Sequence, residues 1–318
     1  MTDTSPPLRL AMLGMIEGNG HPYSWSALIN GYERDALARC PYASIREYMG
    51  RHEPETVGIP GAQVTHVWTD DPADAPVVAA VGLIPHIVSR PDDVIGHVDA
   101  VIIATDDGDG HVERSRAFIE AGLPVFIDKP MATNLTDLRQ LIEWHRNGSA
   151  ILSTSGMRYA PELDLTTDQK EALGDLRWIH SCTIKTWERY GIHALEATHP
   201  FLGAGYTSVR ASTDAAGDVM FVTHGSGVRV TLGTFYDAMG CAGAMSLYGS
   251  KGNLPIKFSD IYTTFRRQLV AFVDFLRTGT RPLPFEQTVE LMAVIIAGIR
   301  SREQGGAVIQ VADILSEL

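Results

Sequence analysis

The chain has 318 residues, of which 45% are hydrophobic and 20% are charged, and its formal net charge at pH 7 is -12. This length predicts two domains, and the apolar content excludes a disordered chain. The negative charge argues against nucleic-acid binding, because an acidic surface repels phosphate groups.

Strands and helices alternate through the first half of the chain. Strands are predicted at 8–14, 62–68, 99–104, 124–127 and 150–153, and helices at about 25–37, 73–82, 111–122 and 136–146. Ser24 is predicted to cap the first helix. The alternation predicts an α/β fold with a Rossmann-type, doubly wound parallel sheet, whose ligands bind where the strands end. The segment at about 38–60 is expected to be a surface excursion near that site.

The second half has a different pattern. Strands are predicted at 176–187, 208–213, 217–223, 227–235 and 243–249, followed by helices at about 264–277 and 285–302. Consecutive strands without helices between them predict an α+β domain with a large open, mostly antiparallel sheet. We therefore expect a dinucleotide-binding domain at 1–155 and a substrate-binding and oligomerisation domain at 156–318. Because an open sheet usually needs covering, a homodimer or homotetramer is expected.

Cysteine content and terminal sequence predict the compartment. Cys40, Cys182 and Cys241 lie far apart and are odd in number, which predicts reduced, mostly buried thiols. The N-terminus lacks a basic stretch followed by an apolar one, and the apolar runs are shorter than the ~20 residues of a membrane helix. We expect a cytoplasmic protein that is free of membranes.

The loop after the first strand departs from the usual dinucleotide pattern. A G-x-G-x-x-G loop normally brings the backbone close to the pyrophosphate, but the text here is GMIEGNGHPYSW. Gly14 is in place, Ile16 replaces the second glycine, and Glu17 adds a negative charge. Either a longer loop holds pyrophosphate through Gly18 to Gly20 and the helix start, or the site binds no dinucleotide in the usual way. The intact pattern of the rest of the domain favours cofactor binding.

Several segments taken together indicate a family. DAVIIATDDGDGH, AFIEAGLPVFIDKP, GIHALEATHPFLG and LYGSKGNL occur in that order, before a tail with AFVDFLRTGTRP and AVIIAGIRSREQGGAVIQV. Their order and spacing resemble those of the glucose–fructose oxidoreductase / inositol dehydrogenase (Gfo/Idh/MocA) family over nearly the whole chain. The resemblance implies an NAD(P)-dependent sugar or polyol dehydrogenase.

Two residues are the candidates for catalysis. Lys129 stands in an Asp-Lys-Pro strand end, where it is either a solvated turn lysine or points into the ligand crevice. The resemblance implies that it holds the substrate hydroxyl beside the nicotinamide ring. His193 resembles the family histidine that takes the alcohol proton, and Glu196 either orients the imidazole or lies on the helix surface. Arg189 stands where the family usually has Asp, which points to an acidic or unusual sugar substrate.

Further site residues are predicted around these two. The cofactor-binding candidates are Gly14, Ile16, Gly18, Asp70, Thr105, Asp106, His111 and Lys129, and the substrate-binding candidates are Arg158, Trp187, Arg189 and Tyr190. Asp70 is the natural acid for the ribose hydroxyls, with Thr69 as the alternative, so NAD is slightly favoured over NADP. No metal site is predicted, because His193, Glu196 and His199 do not complete a ligand set.

Three functions remain open at this point. The leading hypothesis is hydride transfer between NAD(P) and a secondary alcohol of a sugar, polyol or sugar acid. The second is a redox-assisted lyase, glycosidase or epimerase that retains its NAD and produces no net NADH. The third is a non-catalytic protein on the same fold that senses a sugar or a dinucleotide.

Overall fold

The computed structural model describes residues 6–238 and 243–318, and the predicted fold class is confirmed. The elements of the first part are β1 Leu8–Leu13, α1 His21–Asn30, α2 Arg34–Leu37, α3 Ala43–Met49, β2 Ala62–Trp68, α4 Ala75–Val81, β3 His86–Ile87, β4 Ala100–Ile103, α5 His111–Glu120, β5 Val125–Ile127, α6 Leu135–Arg146 and β6 Ile151–Leu152.

The elements of the second part form another sheet and the closing helices. They are α7 Thr167–Leu173, β7 Leu176–Ile184, α8 Trp187–Leu202, β8 Tyr206–Asp214, β9 Gly217–His224, β10 Arg229–Phe235, β11 Ala244–Gly249, β12 Asn253–Lys257, α9 Ile261–Thr278, α10 Phe285–Glu303, β13 Ile309–Gln310 and α11 Val311–Ser316.

The first sheet has six strands in the order β3-β2-β1-β4-β5-β6, and its pairs are parallel. Every residue of β4 and β5 is buried, as their continuous apolar runs predict for strands covered on both faces. This strand order is the Rossmann order, with the change of direction between β1 and β4. The loops that follow these two strands therefore border the expected ligand crevice.

The second sheet has seven strands in the order β12-β11-β7-β10-β9-β8-β13. Its described pairs are antiparallel except β7 with β10, which run parallel. The expectation of strands without intervening helices was wrong after β7, because α8 follows it. The strand ends at Ile184, since Lys185 has a φ of 62° and the Thr186 hydroxyl accepts the N–H of Arg189 as a helix cap.

The start of α1 also differs from the expectation. The helix begins at His21 with Gly20 as its cap, so Ser24 lies buried inside the helix and does not cap it. Gly31, with a φ of 87°, ends the helix, and the predicted single helix at 25–37 is two helices. The loop between β1 and α1 is therefore seven residues long.

The chain divides into two compact units, each built from several segments. Unit 1 consists of Met1–Asp128, Leu141–Ser153 and Phe265–Pro282, and unit 2 consists of Lys129–Gln140, Thr154–Thr264 and Leu283–Leu318. The sheet of β1 to β6 lies in unit 1 and the seven-stranded sheet lies in unit 2. A boundary at residue 155 stays a prediction.

Two of the three cysteines can be described. Cys40 is buried and Cys182 is half-buried, and neither forms a disulfide within the described residues, whereas Cys241 lies outside them. Within residues 6–238 and 243–318, no helix combines the length and the apolar character that crossing a membrane requires.

Candidate functional site

Gly14 lies directly after β1, at the crevice of unit 1. Its φ is 89°, and a Cβ atom there would lie 2.7 Å from Cγ2 of Thr105 and 3.3 Å from a guanidinium nitrogen of Arg114. Both the backbone conformation and the space therefore require glycine. This is the tight turn expected of the first glycine in a dinucleotide loop.

Asp70 follows β2 and reaches this loop. Its Oδ2 accepts the N–H of Met15 at 2.8 Å, and its Oδ1 lies 2.7 Å from Nη2 of Arg114. Thr69, the alternative ribose ligand, is buried and donates its hydroxyl to the carbonyl of Asp71. Asp70 is thus the acid that stands beside Gly14, and Arg114 is a partner that sequence reasoning missed.

The start of α1 offers few donors to a phosphate. The N–H of His21 donates to Oδ1 of Asn19 at 2.9 Å, Pro22 has no N–H, and the N–H of Tyr23 donates to the carbonyl of Gly20 at 3.1 Å. Helix starts bind phosphate through such amides. A pyrophosphate held by the first turn of α1 is therefore not supported, and the loop departs from the usual arrangement in this respect.

The rest of the loop is closed by internal packing. Ile16 is half-buried and its carbonyl accepts the N–H of Asn19 at 3.0 Å, while Gly18 is exposed with a φ of 77°. A Cβ on Gly20 would lie 2.5 Å from Ile45 and 2.8 Å from Tyr42. The segment at 38–60 thus packs against this loop, which agrees with its expected place near the site.

The loop is also tied to the end of β5. Asp128 is fully buried, and its Oδ2 accepts Nδ2–H of Asn19 at 3.1 Å and lies 2.5 Å from Nδ1 of His21. The His21 ring stacks on Trp25 with 4.2 Å between ring centres. These contacts fix the loop immediately before Lys129 in the chain.

Three predicted residues follow β4, and all are buried. Thr105 is fully buried, and its hydroxyl makes no hydrogen bond within the described part of the chain. Asp106 is 1% exposed. His111 is also fully buried, and its Nε2 bonds to the carbonyl of Thr105 at 2.8 Å. The prediction that His111 contacts the cofactor is therefore corrected: its ring braces the β4–α5 loop.

Unit 1 nevertheless fits a dinucleotide at its ribose end. Gly14 forms the turn after β1, Asp70 supplies a carboxylate for ribose hydroxyls, and the Thr105 hydroxyl is a buried group without a partner in the described residues. The departures are Ile16 and Glu17 in the loop and the amides of α1.

Lys129 lies against an aromatic ring in unit 2. It is 2% exposed, and its Nζ lies 4.5 Å from the centre of the Tyr190 ring. Lys185 approaches the same ring at 4.3 Å and donates to the Tyr190 hydroxyl at 2.9 Å. Two ammonium groups therefore flank one phenol, an arrangement stabilised by cation–π attraction. Sequence reasoning selected Lys129 and Tyr190 but missed Lys185, whose backbone turn was read as strand.

His193 lies beside this ring and is oriented by a serine. Its ring meets the Tyr190 ring edge-on at 4.9 Å, and its Nδ1 lies 2.7 Å from Oγ of Ser155. Of the two interpretations left open for Glu196, orienting the imidazole or lying on the helix surface, the structure shows neither. The Glu196 carboxylate accepts the N–H of Ser155 and pairs with Arg158 instead, because it is buried one turn further along α8.

Arg158 is part of a buried ion pair. Its Nε pairs with Glu196, its Nη1 lies 2.8 Å from Nδ1 of His199, and its side chain is 10% exposed. Burial raises the pKa of Glu196, although Arg158 opposes that shift, while burial and Arg158 lower the pKa of His199 to about 4. The guanidinium thus ties its own loop to α8 through Nε and Nη1, and a substrate contact of Arg158 stays a prediction.

Trp187 is a packing residue. It is fully buried, and its Nε1–H donates to the carbonyl of Ile295 at 2.9 Å. A Cβ on Gly191 or Gly298 would lie 2.3 or 2.5 Å from its ring, so these glycines make room for the indole. The expectation that Trp187 stacks on a sugar is therefore corrected. Arg189 is half-buried in the first turn of α8.

Binding of a metal ion would require a cluster of His, Cys, Asp or Glu side chains. Among residues 6–238 and 243–318, no set of three or more such side chains could hold a metal ion. The Nδ1 of His199 faces the Arg158 guanidinium, which disfavours a cation there.

Part of the chain is similar in sequence to known oxidoreductases. Residues 46–155 match the model of the GFO_IDH_MocA family, described as an oxidoreductase family with an NAD-binding Rossmann fold. An inositol 2-dehydrogenase 3 of Saccharopolyspora erythraea is 36% identical over 86 residues, which are 27% of this chain and 25% of that protein. The chain spans between 25% and 29% of the length of the curated relatives that it matches.

Solved structures share the fold over almost the whole chain. The scyllo-inositol dehydrogenase from Lactobacillus casei with bound NAD(H) and scyllo-inositol has a TM-score of 0.69 and 16% identity, covering 96% of this chain and 99% of its own. An oxidoreductase from Agrobacterium radiobacter in complex with NAD+, L-tartaric acid and magnesium has a TM-score of 0.72 and 14% identity, with the same coverage. At this identity the matches show a shared fold, and the family resemblance rests on the match over residues 46–155.

Proposed function

We propose that this relative of the Gfo/Idh/MocA oxidoreductases transfers a hydride between a nicotinamide dinucleotide and a secondary alcohol of a sugar, polyol or sugar acid. The observation that carries the proposal is the cluster of Lys129, Tyr190 and His193 in unit 2. Alcohol oxidation releases a hydride and a proton, so it needs a hydride acceptor and a base. A bound nicotinamide supplies the hydride chemistry, and the chain supplies the proton chemistry.

Lys129 is assigned to the substrate hydroxyl. Its ammonium is almost fully buried and lies over the Tyr190 ring, where water does not screen its charge. A desolvated ammonium is a strong hydrogen-bond donor and stabilises an alkoxide more than bulk water does. Lys129 therefore orients the hydroxyl and lowers the energy of the alkoxide that forms when the proton leaves.

His193 is assigned to the proton. The Ser155 hydroxyl fixes the imidazole through Nδ1 at 2.7 Å, and the Tyr190 ring supports it from the side. A histidine has an ordinary pKa near neutrality and can both accept and return a proton at Nε2. Ser155 and Tyr190 hold the base in one orientation, which is the task that the family's Asp would otherwise share.

The cofactor of the proposed reaction is NAD. Asp70 stands at the end of β2 beside Gly14, the position from which an acid holds the ribose hydroxyls. NAD in the solved structures of two proteins with this fold supports the same choice.

The substrate class is proposed to be a polyol or a sugar acid. Lys129 and Lys185 place two positive charges against the Tyr190 ring, and Arg189 precedes Tyr190 in the first turn of α8, which favours a carboxylate-bearing substrate. The scyllo-inositol and L-tartaric acid in the related structures support this range.

The protein is proposed to act as a homodimer or homotetramer. Trp178 stacks on Tyr248 at 4.7 Å on the second sheet, and these two and Phe221 are 38%, 37% and 40% exposed. Large aromatic side chains on an open sheet are typical of an interface.

Titration of the purified protein with NADH, measured as energy transfer from tryptophan, tests the cofactor part. Incubation with NAD and a panel of polyols, aldoses and sugar acids, read as NADH absorbance, tests the reaction. We expect saturable NADH binding and net NADH production with at least one compound of the panel.

The same experiments separate the alternatives. Substrate conversion without net NADH would indicate redox-assisted elimination, hydrolysis or epimerisation instead. Failure to bind NADH would contradict the proposal and favour a non-catalytic protein, which the internally satisfied α1 amides would then explain.

A further inference from the structure

We propose that Arg114 is a cofactor-specificity residue whose ion pair with Asp70 lets unit 1 accept NADP in addition to NAD. This assignment rests on the proposed function, because it concerns how the same cofactor site treats a 2′-phosphate. The inference goes beyond the proposed function because it assigns a role to a residue on α5, outside the loops expected to bind the ribose.

The pair is formed at the ribose end of the site. Nη2 of Arg114 lies 2.7 Å from Oδ1 of Asp70, and Nη1 lies 3.3 Å from Oδ2. The same Oδ2 accepts the N–H of Met15 at 2.8 Å. The Asp70 carboxylate is therefore bound by the guanidinium in a two-pronged contact and by a backbone amide.

This neutralisation changes what Asp70 does to a phosphate. An isolated carboxylate at this position binds the ribose hydroxyls of NAD and repels the 2′-phosphate of NADP. Paired with Arg114, the carboxylate no longer presents a net negative charge. A guanidinium has five N–H donors, so Arg114 can donate to a phosphate with the remaining ones while two nitrogens keep Asp70 paired, which a Lys ammonium does less well.

The pair is accessible enough to exchange partners. The Arg114 side chain is 28% exposed and the Asp70 side chain is 31% exposed. Partly exposed ion pairs contribute little to stability, so rearranging this one around a ligand has a small cost. A Cβ on Gly14 would lie 3.3 Å from a guanidinium nitrogen of Arg114, so the guanidinium lies beside the turn that follows β1.

Helix stability does not account for this arginine. Arg114 is the fourth residue of α5, and a cation near a helix start opposes the helix dipole. Arg116 on the same helix has ordinary surface partners, since it lies 3.6 Å from Glu113 and stacks over Trp144. Arg116 is therefore a matched control for the loss of one positive charge on α5.

The test measures dissociation constants for NADH and NADPH by fluorescence with the wild type, Arg114→Gln, Asp70→Asn and the control Arg116→Gln. We expect the wild type to bind both cofactors. Arg114→Gln should weaken NADPH at least ~10-fold and NADH less than ~3-fold, because an arginine–phosphate contact is charge-assisted. Asp70→Asn should shift the preference toward NADPH, and Arg116→Gln should match the wild type.

Other outcomes overturn the assignment. Wild-type binding of NADH without NADPH contradicts it while leaving the proposed function intact. An equal loss of both cofactors in Arg114→Gln would make this arginine a ligand of the shared pyrophosphate. Unchanged dissociation constants for both cofactors in Arg114→Gln would show that the pair has only a structural role. If the wild type binds neither cofactor, the proposed function fails first, and this inference fails with it.

Discussion

The Lys129 ammonium lies 4.5 Å from the centre of the Tyr190 ring, so a nearly buried cation rests on an aromatic face within unit 2. The ring also meets His193 edge-on and receives a hydrogen bond from Lys185 at its hydroxyl. Tyr190 is thus the common neighbour of the two residues to which catalysis is assigned. The consequences can be tested residue by residue.

Replacing either assigned residue should abolish most turnover. Lys129→Ala removes the donor to the substrate hydroxyl, and His193→Ala removes the base. We expect kcat to fall by roughly 10²–10⁴ in each variant, the usual size of an acid–base contribution. NADH affinity and the circular dichroism spectrum should stay close to those of the wild type. Near-normal kcat in either variant would show that the assignment of that residue is mistaken.

Tyr190 should act through its ring and its hydroxyl separately. Tyr190→Phe keeps the aromatic face under Lys129 but removes the acceptor for Lys185, whereas Tyr190→Ala removes both. Since a desolvated cation–π contact is worth about 2 kcal/mol, we expect Tyr190→Ala to lower kcat/KM at least ~10-fold more than Tyr190→Phe. Equal effects of the two variants would assign the whole contribution to the hydroxyl.

Ser155 should position His193. In Ser155→Ala the imidazole loses its Nδ1 partner, and we expect kcat to fall about 10-fold, in line with the ~1–1.5 kcal/mol of one hydrogen bond. The dependence of kcat on pH, measured by steady-state kinetics, should change in the range where the base ionises.

Ser155→Thr retains the hydroxyl and is the matched control. The Ser155 hydroxyl also caps a short helical turn through the N–H of Met157, so Ser155→Ala should lose about 1 kcal/mol of stability. A loss of stability without a change in the pH profile would mean that Ser155 is structural only.

His199 should make the stability of the fold depend on pH. Its pKa is about 4 in the folded protein and 6.5 ordinarily, because burial and Arg158 disfavour its charged form. Between these values the unfolded chain binds more protons, so the stabilisation is complete above pH 6.5 and is lost as pH falls toward 4. We expect this residue to contribute a loss of about 2–3 kcal/mol over that range.

Urea unfolding at pH 7 and pH 5 measures this effect. His199→Gln should reduce the difference between the two free energies of unfolding, because glutamine does not titrate but can still accept from Arg158. His86→Gln is the control, since His86 is exposed on β3. An unchanged pH difference in His199→Gln would show that other groups carry it.

Local pattern was sufficient for much of the fold. The apolar runs of β1, β4 and β5 predicted buried parallel strands, because such strands are covered on both faces and need no alternation. The predicted strand at 176–187 extends past the observed end at Ile184, because the residues from Lys185 to Trp187 continue a composition typical of strands. The turn at Lys185 and the cap at Thr186 are local backbone events that composition does not reveal.

The candidate site was predictable only in part. Lys129 and His193 were found because they stand in recognisable segments, and Gly14 because it ends the first strand. Glu196, three residues after His193 along α8, was one candidate for orienting the imidazole, and helical spacing alone cannot tell which way a buried carboxylate points. Ser155, which bonds to His193, lies shortly after β6 and 38 residues before His193 in the sequence.

By itself, the amino-acid sequence determined most of the order of elements and the Rossmann half, and it supplied candidates for the reactive side chains, because hydrophobic periodicity and short motifs are local properties. Only the tertiary structure decided which side chains meet: Lys185 with Tyr190, Ser155 with His193, and Arg114 with Asp70. It also showed that Trp187 and Arg158 are buried supports. The physical reason is that burial and pairing depend on neighbours brought together by packing, which no window of sequence contains.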